Sequence, residues 1–308
     1  MDQDVLAGIK VLVAIAKADG TLHESERVAI QNALDGADLG PDVTIDALLA
    51  EEIDVDAEIA KVGAESARHT TFEAACALVY VDGDADPSER AIVDKLRKAW
   101  EVARPLSTAE RLKKIAVQDW LPGAVDPIED PGKRDAEIDA LVLRASIRAA
   151  IFGAIPVPFV GEFLVSLVGV QTLQTIGALY GHTRDASFWK AFAGNFVGAT
   201  AARIAVLSLV KLVPGYGSIV GASGGFASTW AMAQATRAYF EKGQTMDPEA
   251  LRIAFRDARK EGFAKAKEAQ AEIQAETKRV SPTREKLDQE LAAGAIDEAE
   301  YAERVSRI

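Results

Sequence analysis

The sequence predicts an all-α protein built of two helical bundles and a helical tail. Three observations carry this. Apolar residues recur at three- and four-residue spacing along most of the chain, and no run alternates with period two for long enough to need a sheet. Charge is also parcelled into blocks. Residues 1–120 hold 24 acids and 13 bases, residues 146–236 hold seven charges in 91 positions, and residues 237–308 hold 15 acids and 14 bases. An acidic head is followed by a nearly uncharged middle and a charge-dense tail.

At 308 residues the chain is long enough for about two domains. Its 35 Lys+Arg against 47 Asp+Glu give a net charge of −12, which argues against a nucleic-acid partner, since that footprint is basic. A single cysteine, Cys76, leaves no internal disulfide, and with His23, His69 and His182 scattered there is no Cys/His metal cluster. The opening MDQDVLAGIKVL is acidic before its first apolar residues, unlike a secretory signal.

In the head, DVLAGIKVLVAIAKADG reads as a helix stopped at Gly20 in the left-handed conformation. ESERVAIQNAL, TIDALLAEEI, DAEIAKVGAESA, TFEAACALVYVDG and PSERAIVDKLRKAW continue the helical rhythm. STAERLKKI opens with a capping box, Ser107 with Glu110 three residues on. Cys76 falls on an apolar helix face and reads as core.

The head contains an internal repeat. AKADGTLHESERVAI (16–30) superposes on VYVDGDADPSERAIV (79–93) at an offset of 63, aligning Asp19 with Asp82, Gly20 with Gly83 and Glu26 with Glu89. Each copy is a helix ending in Asp-Gly, an acidic turn and a new helix opening Ser-Glu-Arg. Two readings follow. Asp-Gly with Glu six residues later reproduces the second half of an EF-hand loop, where the Glu supplies a bidentate carboxylate. The leading ligand positions would be Ile15 and Lys17, or Leu78 and Tyr80, so a true EF-hand is excluded. A shared divalent-cation site would instead draw on Asp19, Glu26, Asp82, Asp84, Asp86 and Glu89. The other reading is helix punctuation, with the glycines as stops, Asp86 as N-cap, Pro87 in the first turn, and Glu26 and Glu89 at capping-box positions.

The paired ADG-x5-E and VDG-x5-E hairpins resemble the tellurite-resistance TerB domain, over residues 1–118. The resemblance implies a compact helical bundle with a pseudo-twofold repeat and an acidic surface associated with divalent metal, its acidic positions falling on Asp19, Glu26, Asp82 and Glu89.

WLPGAVDPIEDPGKRD (120–135), with three prolines and two glycines, reads as a linker, placed at residues 119–136. The middle then holds two charge-free runs, 19 residues from Phe163 to Gly181 and 25 residues at 212–236. Both are long enough to cross a bilayer, and the glycines at 217, 221, 224 and 225 suit close helix packing. Trp189 reads either as an interfacial anchor or as a core residue. Gln171, Gln174 and a costly Glu162 oppose insertion, so helices buried in a soluble core are the alternative to a membrane-associated domain.

The Pro-x-Pro turn at 156–158, the Leu-Tyr-Gly end at 179–181, Pro-Gly-x-Gly at 214–217 and Arg-Ala-Tyr-Phe at 237–240 resemble domain of unknown function 697, the YcjF-type hydrophobic domain, across residues 140–265. That resemblance implies membrane association and a link to Era-like or dynamin-like GTPases. This chain has no GTPase of its own: Gly132-Lys133-Arg134 lacks both the preceding glycine and the following Ser/Thr of a P-loop.

In the tail, Asp247-Pro248-Glu249 is a helix start. It leads into a long charged helix, read as a solvated or partner-facing stalk and broken at Ser281-Pro282. REKLDQELAAGAIDEAEYAERVSRI reads as a helix, Gly294, and a helix capped by Asp297 with Glu300 at its third position. This closing piece resembles the SHOCT module, which implies oligomerisation.

The domains expected are thus 1–118, 137–265 and 266–308, with 119–136 as linker. No nucleophile–base cluster is legible, so the chain reads as a non-enzymatic adaptor of a bacterial stress or tellurite-resistance type. It is expected in the cytoplasm at the inner face of the membrane, with lipid and protein partners or self-association, a divalent cation such as Ca²⁺, and no other cofactor. A self-assembling scaffold and an accessory partner of a separately encoded GTPase are the alternatives.

Overall fold

The computed structural model describes residues 3–18, 20, 22, 27, 30–31, 34, 44–80, 87–101, 125–157, 159–182, 188–189, 192, 205–209 and 217–308. The fold is all-α, with no strand among the described residues. The helices are α1 (Gln3–Ala16), α2 (Ile45–Ala50), α3 (Val55–Lys61), α4 (Glu65–Tyr80), α5 (Pro87–Ala99), α6 (Pro131–Gly153), α7 (Val160–Leu179), α8 (Gly217–Glu241), α9 (Pro248–Glu268), α10 (Gln270–Ala292) and α11 (Glu298–Ser306). They fall into two compact units. The first comprises Met1–Lys113, Pro156–Phe159 and Val197–Gly217, and the second the remainder.

In the first unit α1 is the central helix. Ile9, Val11, Leu12, Val13 and Ile15 are all at most 1% exposed, so its apolar residues are buried on every side rather than along one stripe. Helices α2, α3, α4 and α5 pack against it. Short helices survive here because they are capped: the Thr44 hydroxyl accepts from the Ala47 N–H, and the Asp54 carboxylate accepts from the Asp56 and Ala57 N–H groups. Asp4 accepts from the Ala64 N–H at 2.7 Å, tying the start of α4 back to α1. Gly20 has φ +94°, the left-handed stop that the sequence predicts.

Segments 156–159 and 197–217, which the sequence reading assigned to the hydrophobic domain, belong to this unit. Phe159, Ala205, Val206 and Leu209 join the head's core, and the Phe159 N–H donates to Ser208 Oγ at 3.1 Å. A Cβ on Gly8 of α1 would lie 2.6 Å from Thr71 Oγ1 and 3.2 Å from Leu209 Cδ1, so α4 and the 205–209 segment close on α1 at that glycine.

The second unit is assembled on α8, whose small residues admit two neighbours, α6 and α9, at backbone distance. A Cβ on Gly225 would lie 2.4 Å from the Ala149 carbonyl of α6, and one on Gly153 of α6 would lie 2.2 Å from the Gly221 carbonyl. Gly262 of α9 rides equally close on Ala227, and Gly169 of α7 faces Met232. Among the described residues α7 is the helix long and apolar enough to cross a membrane, with mean hydropathy 1.3 and 78% burial inside the protein. Helix α8 has the length but not the hydropathy, because glycine, serine and threonine dilute its apolar content; the start of the expected 212–236 run lies outside the described residues. Trp189 is 1% exposed, packed on Gly177 and edge-on to Phe188 and Phe192, so it is a core residue and not an interfacial anchor.

Two further expectations need correction. The linker reading obscured a helix start: Asp130 caps α6 by accepting from the Lys133 N–H, with Pro131 in the first turn. The charged tail is also not a solvated stalk broken at Pro282. Leu251, Phe255 and Ala266 of α9 are buried, and α10 runs unbroken through Pro282. The break falls at Ala269 instead, whose N–H still reaches the Lys265 carbonyl. Pro282 removes the N–H that would bond the Lys278 carbonyl, and both positions are exposed, while Val280 and Leu287 hold α10 by burial. Helix α11 packs on α10 and α7 as expected of a capped closing helix, with Asp297 accepting from the Glu300 N–H. Arg304 clamps the pair by bonding Glu290 at 2.8 Å and Glu300 at 2.5 Å.

Candidate functional site

The acidic repeat is the site the sequence singles out. Of its six carboxylates, Asp19, Glu26, Asp82, Asp84 and Asp86 lie outside the described residues. Glu89 is described. It is the third residue of α5, half-buried in the first turn, where a carboxylate complements both the free N–H groups and the helix dipole. That placement is the one a capping-box glutamate occupies. Among the described residues no group of three or more His, Cys, Asp or Glu is placed to hold a metal ion.

The helices carrying the repeat are adjacent. Helix α1 leads to the first Asp-Gly, α4 to the second, and these two pack along each other in the first unit, with α5 against both. Cys76 on α4 is buried at 0% exposure, the core position its apolar face predicts. His69, also on α4, is exposed, while His182 lies far along the sequence, stacked on Phe240 and 3.1 Å from the Gln244 side-chain nitrogen.

The head also holds a polar network that the sequence reading missed. Lys10 of α1 bonds Glu51 at 2.6 Å and lies 3.9 Å from Glu58, a carboxylate whose side chain is only 8% exposed. Lys61 reaches the same Glu58 at 2.7 Å. Lys17 donates to the Leu49 and Glu51 carbonyls, at 3.2 and 2.8 Å, satisfying the last carbonyls of α2. The available signal was Lys10 in the apolar run of α1, a half-buried cation that favours a carboxylate partner. This network neutralises acids beside α1 and is structural in character.

Both copies of the repeat, most of α1 and all of α2 to α5 fall within the segment that matches a known family. Residues 6–107 match Tellurite resistance protein TerB. Over that stretch the head is similar to the TerB family. The match ends at residue 107, short of the 118 expected from sequence. No curated protein and no solved structure gives a significant match to the chain.

Proposed function

We propose that the chain is a non-enzymatic adaptor of a tellurite-resistance-type system, in which the TerB head binds a divalent cation and the second unit associates with the inner face of the membrane. The TerB match over residues 6–107 carries this reading. Support for the membrane role comes from α7, of spanning length, and from the resemblance of residues 140–265 to the YcjF-type domain. Support for self-association comes from the SHOCT-like closing hairpin.

The 78% burial of α7 favours a second reading, a soluble scaffold in which the same apolar helix serves as core. Cell fractionation of the full chain without detergent separates the two. Recovery in the membrane pellet, and flotation with liposomes carrying anionic lipid, is the expected result. Recovery in the high-speed supernatant with no flotation would leave the scaffold. The cation is tested on the full chain by melting temperature. A cation bound only by the folded state stabilises it by RT ln(1 + [L]/Kd), about 2.7 kcal/mol at a hundredfold excess over Kd. Millimolar Ca²⁺ should raise the melting temperature, and Asp82→Asn with Glu89→Gln should remove the gain. A flat response across calcium, magnesium, manganese and zinc would discard the metal and leave helix capping as the role of the repeat.

A further inference from the structure

The second unit contains a cavity of about 670 Å³ between α6, α10 and the end of α11. Its volume sits in the range of small-molecule sites, roughly 300–1,000 Å³. Its floor is aliphatic and aromatic: Ile151 and Phe152 of α6, Ile155 just beyond it, Val280 of α10 and Val305 of α11 are all buried. Around that floor stand four guanidinium groups, from Arg144, Arg148, Arg279 and Arg284, with Glu272, Glu276 and the terminal carboxylate of Ile308 as the acids of the lining, the last 3.5 Å from Arg279.

The arginines are unequally satisfied. Arg279 is held by Glu276 in a two-pronged pair at 2.6 and 2.8 Å. Arg144 bonds Glu137 at 3.2 Å, and Arg284 lies 3.7 Å from Asp288 while its buried Nε makes no hydrogen bond. Arg148 differs. Its guanidinium donates to the Ser306 carbonyl and lies 5.3 Å from the Phe152 ring centre, with no carboxylate within ion-pair distance among the described residues. Arg148 is solvent-exposed as a residue, yet its guanidinium lies against enough protein for desolvation to lower its pKa. A cation left in this position, above an apolar floor, is half of a binding site: the missing half is an anion attached to something apolar.

We propose that this cavity binds a single-chain anionic amphiphile, its carboxylate or phosphate head on Arg148 and its hydrocarbon chain along the floor formed by Ile151, Phe152 and Val280. The net charge of −12 would repel anions from the surface in general, so affinity for one requires such a local cluster of positive charge. The concave volume suits a small molecule better than a protein partner, which needs about 800 Å² of surface on each side for a stable interface. The proposal does not depend on membrane association of the second unit.

The test is calorimetric titration of the full chain with dodecanoate and dodecyl phosphate below their micelle concentrations. Dodecyl maltoside and dodecyltrimethylammonium serve as neutral and cationic controls of the same chain length. Saturable one-to-one binding of the anionic probes is expected, at least tenfold tighter than either control. Arg148→Gln should weaken dodecanoate binding by tenfold or more with an unchanged circular dichroism spectrum. If that variant does not fold, Ile147→Trp, which fills the cavity from its partly exposed wall, should abolish binding in its place. Equal affinity for the neutral probe, loss of nothing on Arg148→Gln, or binding to phosphatidylglycerol vesicles without binding to monomeric dodecanoate would each overturn the assignment.

Discussion

Tyr301 shows what one side chain contributes. It is wholly buried, and its hydroxyl donates to the Asp288 carboxylate at 2.5 Å. Burial first, and that hydrogen bond second, push its phenol well above the usual 10.0. A group raised in the folded state contributes stability that is fully present below the unfolded value and lost as pH climbs above it. Wild-type stability should therefore fall as pH rises from about 10, and Tyr301→Phe should flatten that fall while costing about 1.5 kcal/mol at neutral pH. Urea unfolding at pH 7 through 11 measures both. Gly225 gives the opposite kind of prediction. An added methyl would meet the Ala149 carbonyl, which is backbone and cannot swing aside, so Gly225→Ala should destabilise by about 1–3 kcal/mol despite the gain in helix propensity. A neutral or stabilising result in thermal melts would contradict the close α6–α8 packing.

At the scale of elements, the chain advertises its helix starts with one device. Asp130-Pro131 and Asp247-Pro248 have the same form, and in both the aspartate accepts from the N–H three residues on, at 2.8 Å. The second was legible because charged helical sequence follows it. The first was masked by the surrounding Pro/Gly-rich stretch, although its local chemistry is identical. Asp130→Ala and Asp247→Ala should each cost about 1 kcal/mol, and replacement by Ser or Asn should restore most of it. Pro282 is the converse: a strong breaker that fails to break, because burial of Val280 and Leu287 holds α10 continuous through an exposed turn. Pro282→Ala should raise the melting midpoint, though by less than the roughly 3 kcal/mol of an interior proline, since proline also restricts the unfolded chain. A lowered midpoint would mean that a bend at Pro282 is needed for docking.

For the whole molecule, the decisive fact is that the head's core is completed from far along the chain. Leu209 is fully buried in the first unit, beside Gly8 and with Val206 and Ala205 in the same cluster. Leu209→Ala should therefore destabilise the head by about 2–5 kcal/mol, as a large-to-small change in a closed core does. A fragment of residues 1–118 should unfold at lower urea concentration than the head does within the full chain, followed by exchange protection of α1 amides. Equal protection in fragment and full chain would show that the 205–209 segment is dispensable.

The sequence by itself determined the fold class, the acidic repeat, the TerB resemblance of the head, the stop at Gly20 and the caps at Asp247 and Asp297. These are local properties: periodicity, a left-handed glycine or a side chain bonding its own backbone involves neighbours within a few residues. Tertiary structure decided the rest. It placed Leu209 in the head, Trp189 in a core, α10 unbroken through a proline, and Arg148 beside an apolar cavity. Each of these depends on which distant surface meets the residue. Burial of a few side chains outweighs a local preference of about 1–3 kcal/mol, and no spacing along the chain records that contest.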